Sequence, residues 1–277
     1  MPELRCTVRG CAQPLHEHDG ALRCARGHAF DRAREGYWNL AQPQDRRSRR
    51  AGDSDEATAA RRRWLARGFV SGLVRELAGL IDAAAPREGA TALDVGCGEG
   101  TLTAELLGSR GLDACGVDLS TGAIRLAAKS APGITWIVAN ADRGLPFTSA
   151  SVDLALSIFG RRPADELRRV LKPGGSLIVV VPGPDDLAEL REAAQGRADR
   201  RDRAADAAVE LAPHFAVESQ SAWRHRAHHD REALTEALTM SYRGTRASER
   251  ERLAAVDALD VTLAASILTL VPRDRVR

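Results

Sequence analysis

The sequence predicts an α/β protein, a largely parallel sheet covered on both faces by helices, preceded by a small N-terminal zinc-binding module. Three observations carry this expectation. An apolar run at 91–96 breaks at Gly96, Gly98 and Gly100, three glycines on alternate positions, and a helix pattern opens at Thr101. Segments at 91–96, 113–118, 134–138, 152–158 and 176–182 are apolar nearly throughout, as strands covered on both faces must be, and most are separated by helix-patterned stretches. Cys6, Cys11, Cys24 and His28 fall as two close pairs at the start of the chain.

Residues 1–40 read as the zinc-binding module. Cys6-x4-Cys11 and Cys24-x3-His28 are separated by twelve residues, a spacing that lets three thiolates and an imidazole close a tetrahedron around zinc. So short a segment has little core, so the metal would supply much of its folding free energy. The competing reading is a set of unligated thiols. His16 and His18 lie in the intervening loop and read as solvated. Residues 29–40 interleave Phe30, Tyr37 and Trp38 with Arg32 and Arg34, a composition that suits either base stacking with phosphate contact or the seam to the next domain.

Residues 41–88 read as linker and helices. Gln44 to Arg50 is basic and rich in breakers, with Arg46, Arg47, Arg49 and Arg50 suited to a linker or a phosphate-contacting loop. Gly52-Asp53-Ser54 offers an N-cap to a helix running through Arg61-Arg62-Arg63-Trp64. A second helix over 69–85 stops before Pro86.

Residues 89–277 read as the main domain. Between the strands named above lie helices at 100–109, 120–130 and 163–171. Past Pro184 come a helix at 185–195, a charge-dense 197–208 that reads as a solvated helix or connector, and a strand at 215–223. Helices at 230–240 and 248–256 and a closing strand at 261–271 complete it, with 225–255 expected to form a lid or substrate-selecting element.

Charge is distributed unevenly. Residues 1–67 hold fourteen Arg, no Lys and nine acids, a net of +5, against −3 for the rest of the chain. A basic head on a mildly acidic body points to a polyanion facing the N-terminal part. The abundance of Arg throughout, with only two Lys in the chain, is the compositional alternative. No apolar run approaches the ~18–20 residues of a membrane span and the first residues lack a signal-peptide core, so no membrane association and a cytoplasmic location are expected. Five cysteines there are not expected to form disulfides.

The glycine loop reads G-x-G-x-G, with Asp94 before it and Glu99 inside it, not the G-x-G-x-x-G that seats a dinucleotide pyrophosphate. A nicotinamide-dependent oxidoreductase is therefore disfavoured. Two carboxylates repel phosphates but suit a cationic ligand, and S-adenosylmethionine (SAM) carries an ammonium and a sulfonium. Asp118 ends the next strand about twenty residues on, where a nucleotide-binding unit places its ribose-binding acid. Asn140-Ala141-Asp142 before Leu145-Pro146-Phe147, then Ser151 to Ser157, then Leu171-Lys172-Pro173-Gly174-Gly175 follow in order. In this order and spacing the pattern resembles the Rossmann-like class I SAM-dependent methyltransferases.

The zinc pairs, Glu35-Gly36-Tyr37, Gly52-Asp53-Ser54, Ala60-Arg61-Arg62 and Asp94 to Gly100 together resemble the bacterial large-subunit ribosomal RNA guanine-N1 methyltransferases, a family with macrolide-resistance members. The resemblance spans nearly the whole chain. It implies zinc on Cys6, Cys11, Cys24 and His28, a SAM cradle at Asp94, Gly96, Gly98 and Gly100, and Thr103 near the amino-acid end of SAM. Asp142 is expected near the adenine amine, and Cys97, Leu119, Ala141 and Ser157 complete the expected cofactor set, although Cys97 and Cys115 also read as packing residues. The expected substrate is ribosomal RNA; the sequence does not decide between monomer and homodimer.

The departures fall on the substrate side. After Ser157-Ile158-Phe159 the family pattern has Ala-Pro, where this chain has Gly160-Arg161-Arg162. Its Gly-His-Tyr is replaced by Gly68-Phe69-Val70, and its Met-Thr-Pro-Phe-Ala-Trp-like stretch by Met240-Ser241-Tyr242-Arg243-Gly244. The alternative reading is a relative methylating a small molecule, an indole or another nitrogen heterocycle. In either case Phe159, Arg161, Arg162 and Tyr242 are the candidate substrate residues, with Arg161 and Arg162 binding a phosphate or an oxyanion, or capping the sheet edge. The sequence names no general base.

Overall fold

The computed structural model describes residues 2–45, 54–84, 87–198, 200–241 and 247–273. Arg46, Arg47, Arg49 and Arg50, with Gly52, Asp53, Pro86 and Tyr242 to Gly244, lie outside the described residues.

The N-terminal strands β1 (His16–His18), β2 (Ala21–Arg23) and β3 (Ala29–Asp31) form a three-stranded antiparallel ribbon, after which β4 (Trp38–Asn39) leaves it. Helices α1 (Asp55–Ala66) and α2 (Ser71–Ala84) lead into β5 (Thr91–Val95), α3 (Thr101–Leu107), β6 (Asp113–Asp118), α4 (Thr121–Ser130), β7 (Thr135–Val138), β8 (Val152–Ile158), α5 (Ala164–Val170) and β9 (Leu171–Pro182). The chain finishes with α6 (Ala188–Gln195), α7 (Arg203–Leu211), β10 (Phe215–Asp230), α8 (Arg231–Ser241), α9 (Ala247–Ala254) and β11 (Ala258–Pro272).

One eight-stranded sheet runs in the order β10-β11-β9-β8-β5-β6-β7-β4. The strands from β9 to β4 are mutually parallel, and β11 pairs antiparallel with both β9 and β10. Every residue of β5 and β8 is buried, which is why these segments read as unbroken apolar runs. The strand order reverses around β5, so its carboxyl end opens onto the crevice where doubly wound sheets bind ligands.

The ribbon is not a separate bead. Strand β4 pairs in parallel with β7, Leu4 bridges Phe147, and Arg5 donates to Leu145 O and pairs with Glu166 at 2.9 Å. Cys6, Cys11, Leu22 and Cys24 share one packed core with Leu93, Val95 and Phe147. The aromatic stretch at 29–40 is therefore the seam: Tyr37 and Trp38 are buried, and Arg32 lies over the Trp38 ring.

Within 197–208 the chain is a largely exposed connector leading into α7, which is capped by Asp202 and turns one face inward through Ala204 and Ala207, with Leu211 beyond. The expectation of a lid or substrate-selecting element at 225–255 falls partly on residues 242–246, outside the described residues. Strand β10 continues to Asp230, and α8 packs its buried Leu234, Ala237 and Leu238 inward while lying against α1. None of the described residues of 225–255 lines the central cavity.

Candidate active site

The ligand atoms of Cys6, Cys11, Cys24 and His28 lie within 4.8 Å of one another. The Cys6 and Cys24 sulfurs are each 3.4 Å from His28 Nδ1, and Cys11 Sγ is 3.8 Å from Cys24 Sγ. Thiolates ~2.3 Å from a tetrahedral zinc ion sit at about this separation, so the donor set and its geometry fit zinc. Burial opposes ionisation of Cys24, but backbone N–H groups of His28 and Arg26 and its neighbours' side chains outweigh it and bring the thiol down to about 7. Burial holds Cys6 high, at about 12, in the absence of metal. His16 and His18 are exposed and stand outside the cluster.

Beyond β5 the glycine loop borders a cavity of about 410 Å³, within the ~300–1,000 Å³ of small-molecule sites. It is lined by Asp94, Gly96, Cys97, Glu99, Asp118, Leu119, Ala141 and Asp142, with Phe159 to Arg161 opposite. Gly96 sits at φ +81°, and a Cβ there would press on the backbone of Gly160 and Arg161 at 3.2 Å. Asp118, at the end of β6, braces the loop by accepting from the Gly98 N–H at 3.1 Å.

Asp94 is 2% exposed. Its Oδ2 accepts from the Thr103 hydroxyl at 2.6 Å, while its Oδ1 has no hydrogen-bond partner among the described residues. Burial, with the Asp118 and Glu99 charges adding to it against the Thr103 hydrogen bond, pushes its carboxyl up to about 7. An unpartnered buried oxygen facing a cavity of carboxylates fits an amine-bearing cation, and SAM is such a ligand. The same charges and burial push the Cys97 thiol upward.

Four expected cofactor residues do not line this cavity. Thr103 is fully buried and orients Asp94. Gly98 supplies the N–H just described. Gly100, at φ +78°, lies where a Cβ would come 2.5 Å from the Trp136 ring, so it lets α3 pack. Ser157 is fully buried and donates to Arg161 O at 3.0 Å.

The segment Phe159 to Arg161 forms the opposite wall. Phe159, at φ +53°, Gly160 and Arg161 all line the cavity. Arg161 reaches back to Asp142 with two hydrogen bonds, so Asp142 faces this segment. Arg162 turns away to pair with Glu210 of α7 at 3.0 Å and leaves the cavity.

Arg61 and Leu65 of α1 also line the cavity, and the sequence did not single them out as such. Arg61 approaches Glu99 at 3.6 Å. Helix α1 is held from behind: Arg63 and Arg67 each donate to the buried Glu236 of α8 at 2.8 Å, and Trp64 Nε1 donates to His229 at 3.2 Å. Burial lowers the pKa of His229, which keeps the ring a neutral acceptor. Removing the carboxylate with Glu236→Ala takes away the Glu236 partner of both guanidiniums, leaving Arg67 to Glu232 and Asp230, and loosens α1. We expect SAM affinity to fall several-fold by calorimetry although Glu236 does not touch the cavity; unchanged affinity would show that α1 does not shape the site.

A second groove, of about 890 Å³, runs between the ribbon and the sheet. Arg5, Arg9, Gln42, Asn140 and Arg143 are among its lining, and Asn140 borders the first cavity as well. Among the described residues no helix is long and apolar enough to cross a membrane.

Comparison with known proteins places both parts. A zinc-ribbon family model described as "RlmA, N-terminal" matches residues 4–49, and a methyltransferase-domain model matches residues 92–175. The 23S rRNA (guanine(748)-N(1))-methyltransferase of Streptomyces fradiae is 38% identical over 243 residues, covering 86% of this chain and 84% of that protein. A demethylmenaquinone methyltransferase of Beutenbergia cavernae is 36% identical over 106 residues, only 36% of this chain and 43% of its own length. Among solved structures the YcgJ protein from Bacillus subtilis superposes with a TM-score of 0.52 at 17% identity, covering 72% of this chain and 100% of that one, which speaks to the fold alone.

Proposed function

Because this chain belongs to the zinc-ribbon-bearing 23S rRNA guanine-N1 methyltransferase family, we propose that it methylates N1 of a guanine in large-subunit ribosomal RNA. The chain is a SAM-dependent methyltransferase with an N-terminal zinc ribbon. The observation that supports the RNA reading is the groove between ribbon and sheet, lined by Arg5, Arg9 and Arg143 together with Asp45, which shares Asn140 with the cofactor cavity. Arg143 pairs there with Asp45 at 3.0 Å and Arg5 with Glu166 at 2.9 Å, so a polynucleotide phosphate would compete for these guanidiniums. Half or more of the contacts to nucleic acid go to phosphate and sugar, and such contacts set register rather than sequence.

Bound SAM supplies an electrophilic methyl group, and the protein's part is to hold a guanine in line with it and relieve N1 of its proton. Asp94, Asp118 and the backbone at Gly96 hold the cofactor in this reading, and α1 closes over it. The target base is a loop nucleotide or one flipped from its stack, since a paired N1 is inaccessible.

Incubation with methyl-labelled SAM, with 23S rRNA and a panel of indoles and other nitrogen heterocycles in separate reactions, tests this. Label is expected in the RNA. Label only in a heterocycle would favour the small-molecule reading, to which the departures at Gly160 to Arg162 otherwise lend their support.

A further inference from the structure

The wall opposite the glycine loop presents Phe159 and Arg161, which cofactor binding does not explain, against Asp142, which the sequence places near the adenine amine. The Phe159 ring is 47% exposed although its backbone occupies a left-handed conformation. That conformation is enforced: Phe159 N–H donates to Val180 O at 2.9 Å, Ser157 holds Arg161 O, and a Cβ on Gly160 would lie 2.5 Å from Val95 O. Strain kept in place by surrounding structure and ending in an exposed aromatic at a cavity is a mark of function. Beside the ring, Arg161 Nε donates to Asp142 Oδ1 at 3.0 Å and its Nη2 to Oδ2. The two side chains are 52% and 45% exposed, and an ion pair so open to water adds little stability. Arg161 also stands where the family pattern has proline.

The pair keeps hydrogen-bonding capacity in reserve. A guanidinium carries five N–H donors and two are engaged here; a carboxylate offers about four acceptor positions and two are engaged. Donors next to acceptors in this order match the Watson–Crick edge of guanine, which presents O6 as acceptor beside N1–H and the 2-amino group as donors. Adenine presents the reverse at the first two positions and would be rejected.

Resting on the reading of the chain as a guanine-N1 methyltransferase, we infer that Phe159, Arg161 and Asp142 form the pocket for the target guanine. Phe159 stacks on the base, Arg161 donates to O6, and Asp142 accepts from N1–H and takes its proton. Loss of that proton moves negative charge onto O6, where the Arg161 guanidinium stabilises it, and the electron pair left on N1 is free to bond to the methyl carbon as the bond from that carbon to the sulfonium sulfur breaks and its electron pair passes to sulfur, leaving a neutral thioether. The protonated Asp142 then releases the proton to solvent, to which it is open.

The test uses the full-length zinc-bound protein, 23S rRNA and saturating SAM, with SAM affinity measured separately by calorimetry. Asp142→Asn should lower kcat by at least ~100-fold, the scale of a lost general base, while SAM affinity stays within about two-fold by the same argument that Asp142 faces the base. The residual rate should climb with pH as guanine N1 loses its proton unaided. Arg161→Met should lower kcat by at least ~10-fold, with Arg161→Lys recovering part of it. Weakened SAM binding with a normal kcat in Asp142→Asn would return Asp142 to the adenine contact and overturn the inference. Normal kcat and affinity in both variants would reduce the ion pair to a surface contact and overturn it equally. A parent enzyme that leaves rRNA unlabelled overturns instead the functional reading on which the inference rests.

Discussion

Replacing Cys24 by serine should cost the protein its zinc and much more of its stability than a detachable module would. Read from sequence, the loss is confined to residues 1–40 and SAM binding survives. The packing says otherwise, because Cys6, Cys11 and Cys24 lie in the same core as Leu93 and Val95 of the central strand β5, and β4 is an edge strand of the main sheet. Structural zinc contributes directly to folding, with apparent binding free energies of ~10–16 kcal/mol in zinc-finger peptides, of which only a part would be felt in a domain with its own core. Even a loss of ~3 kcal/mol lowers the Tm of a chain this size by roughly 5 °C. Thermal denaturation with a dye assay for released zinc checks this. A variant that loses zinc but melts with the parent would mean that the ribbon is only loosely attached after all.

The second large effect is expected at Asp94, with opposite signs for stability and binding. Its carboxyl titrates near 7 in the folded protein, chiefly because it is buried, against ~3.9 in an unfolded chain. The folded state therefore holds the proton more tightly. Stability falls as pH rises from about 4 to about 7, and above that the full penalty persists. Asp94→Asn removes the penalty and keeps an acceptor for Thr103, so the ligand-free variant should melt higher than the parent at pH 8, by roughly 5 °C, with no advantage near pH 4. SAM affinity should nevertheless drop by ~10- to 100-fold, since a charge-assisted hydrogen bond of ~1.5–3 kcal/mol is lost. In the parent, affinity should rise with pH up to about 7 as the carboxylate forms, and the variant should lose that dependence. Equal melting at pH 8, or affinity unchanged, would remove Asp94 from the cofactor site.

What could be read from sequence follows from how local each signal is. Unbroken apolar strands, the alternate-position glycines and the paired zinc ligands are statements about a few adjacent residues, and they describe the sheet, the loop and the metal cluster. The sequence does not distinguish residues that line the cavity from those behind it. Thr103 and Ser157 look like cofactor contacts because they are polar residues at the ends of the right elements, yet each is buried and orients a neighbour. Arg61 lies in a motif shared with the family, but neither it nor Leu65 carries a local sign that it lines the cavity. Their placement depends on α1 resting on α8, through Glu236 and His229, some 170 residues away in the chain. The fate of 29–40 was likewise undecidable locally, since an aromatic-rich basic stretch suits a seam as well as a base-stacking surface. At 197–208 charge density signals the exposed face, while the helical spacing of Ala204 and Ala207, continued by Leu211, marks the face that α7 buries.

Methylation at N1 of guanine blocks Watson–Crick pairing, so it halts reverse transcription at the modified position. The most direct measurement is primer extension on 23S rRNA after incubation with the enzyme and SAM. One strong stop at a single guanine is expected, dependent on SAM and weakened in Asp94→Asn at SAM concentrations that just saturate the parent. Full-length extension across the whole rRNA, with methyl label recovered in a small molecule or on a base edge that does not pair, would contradict the account.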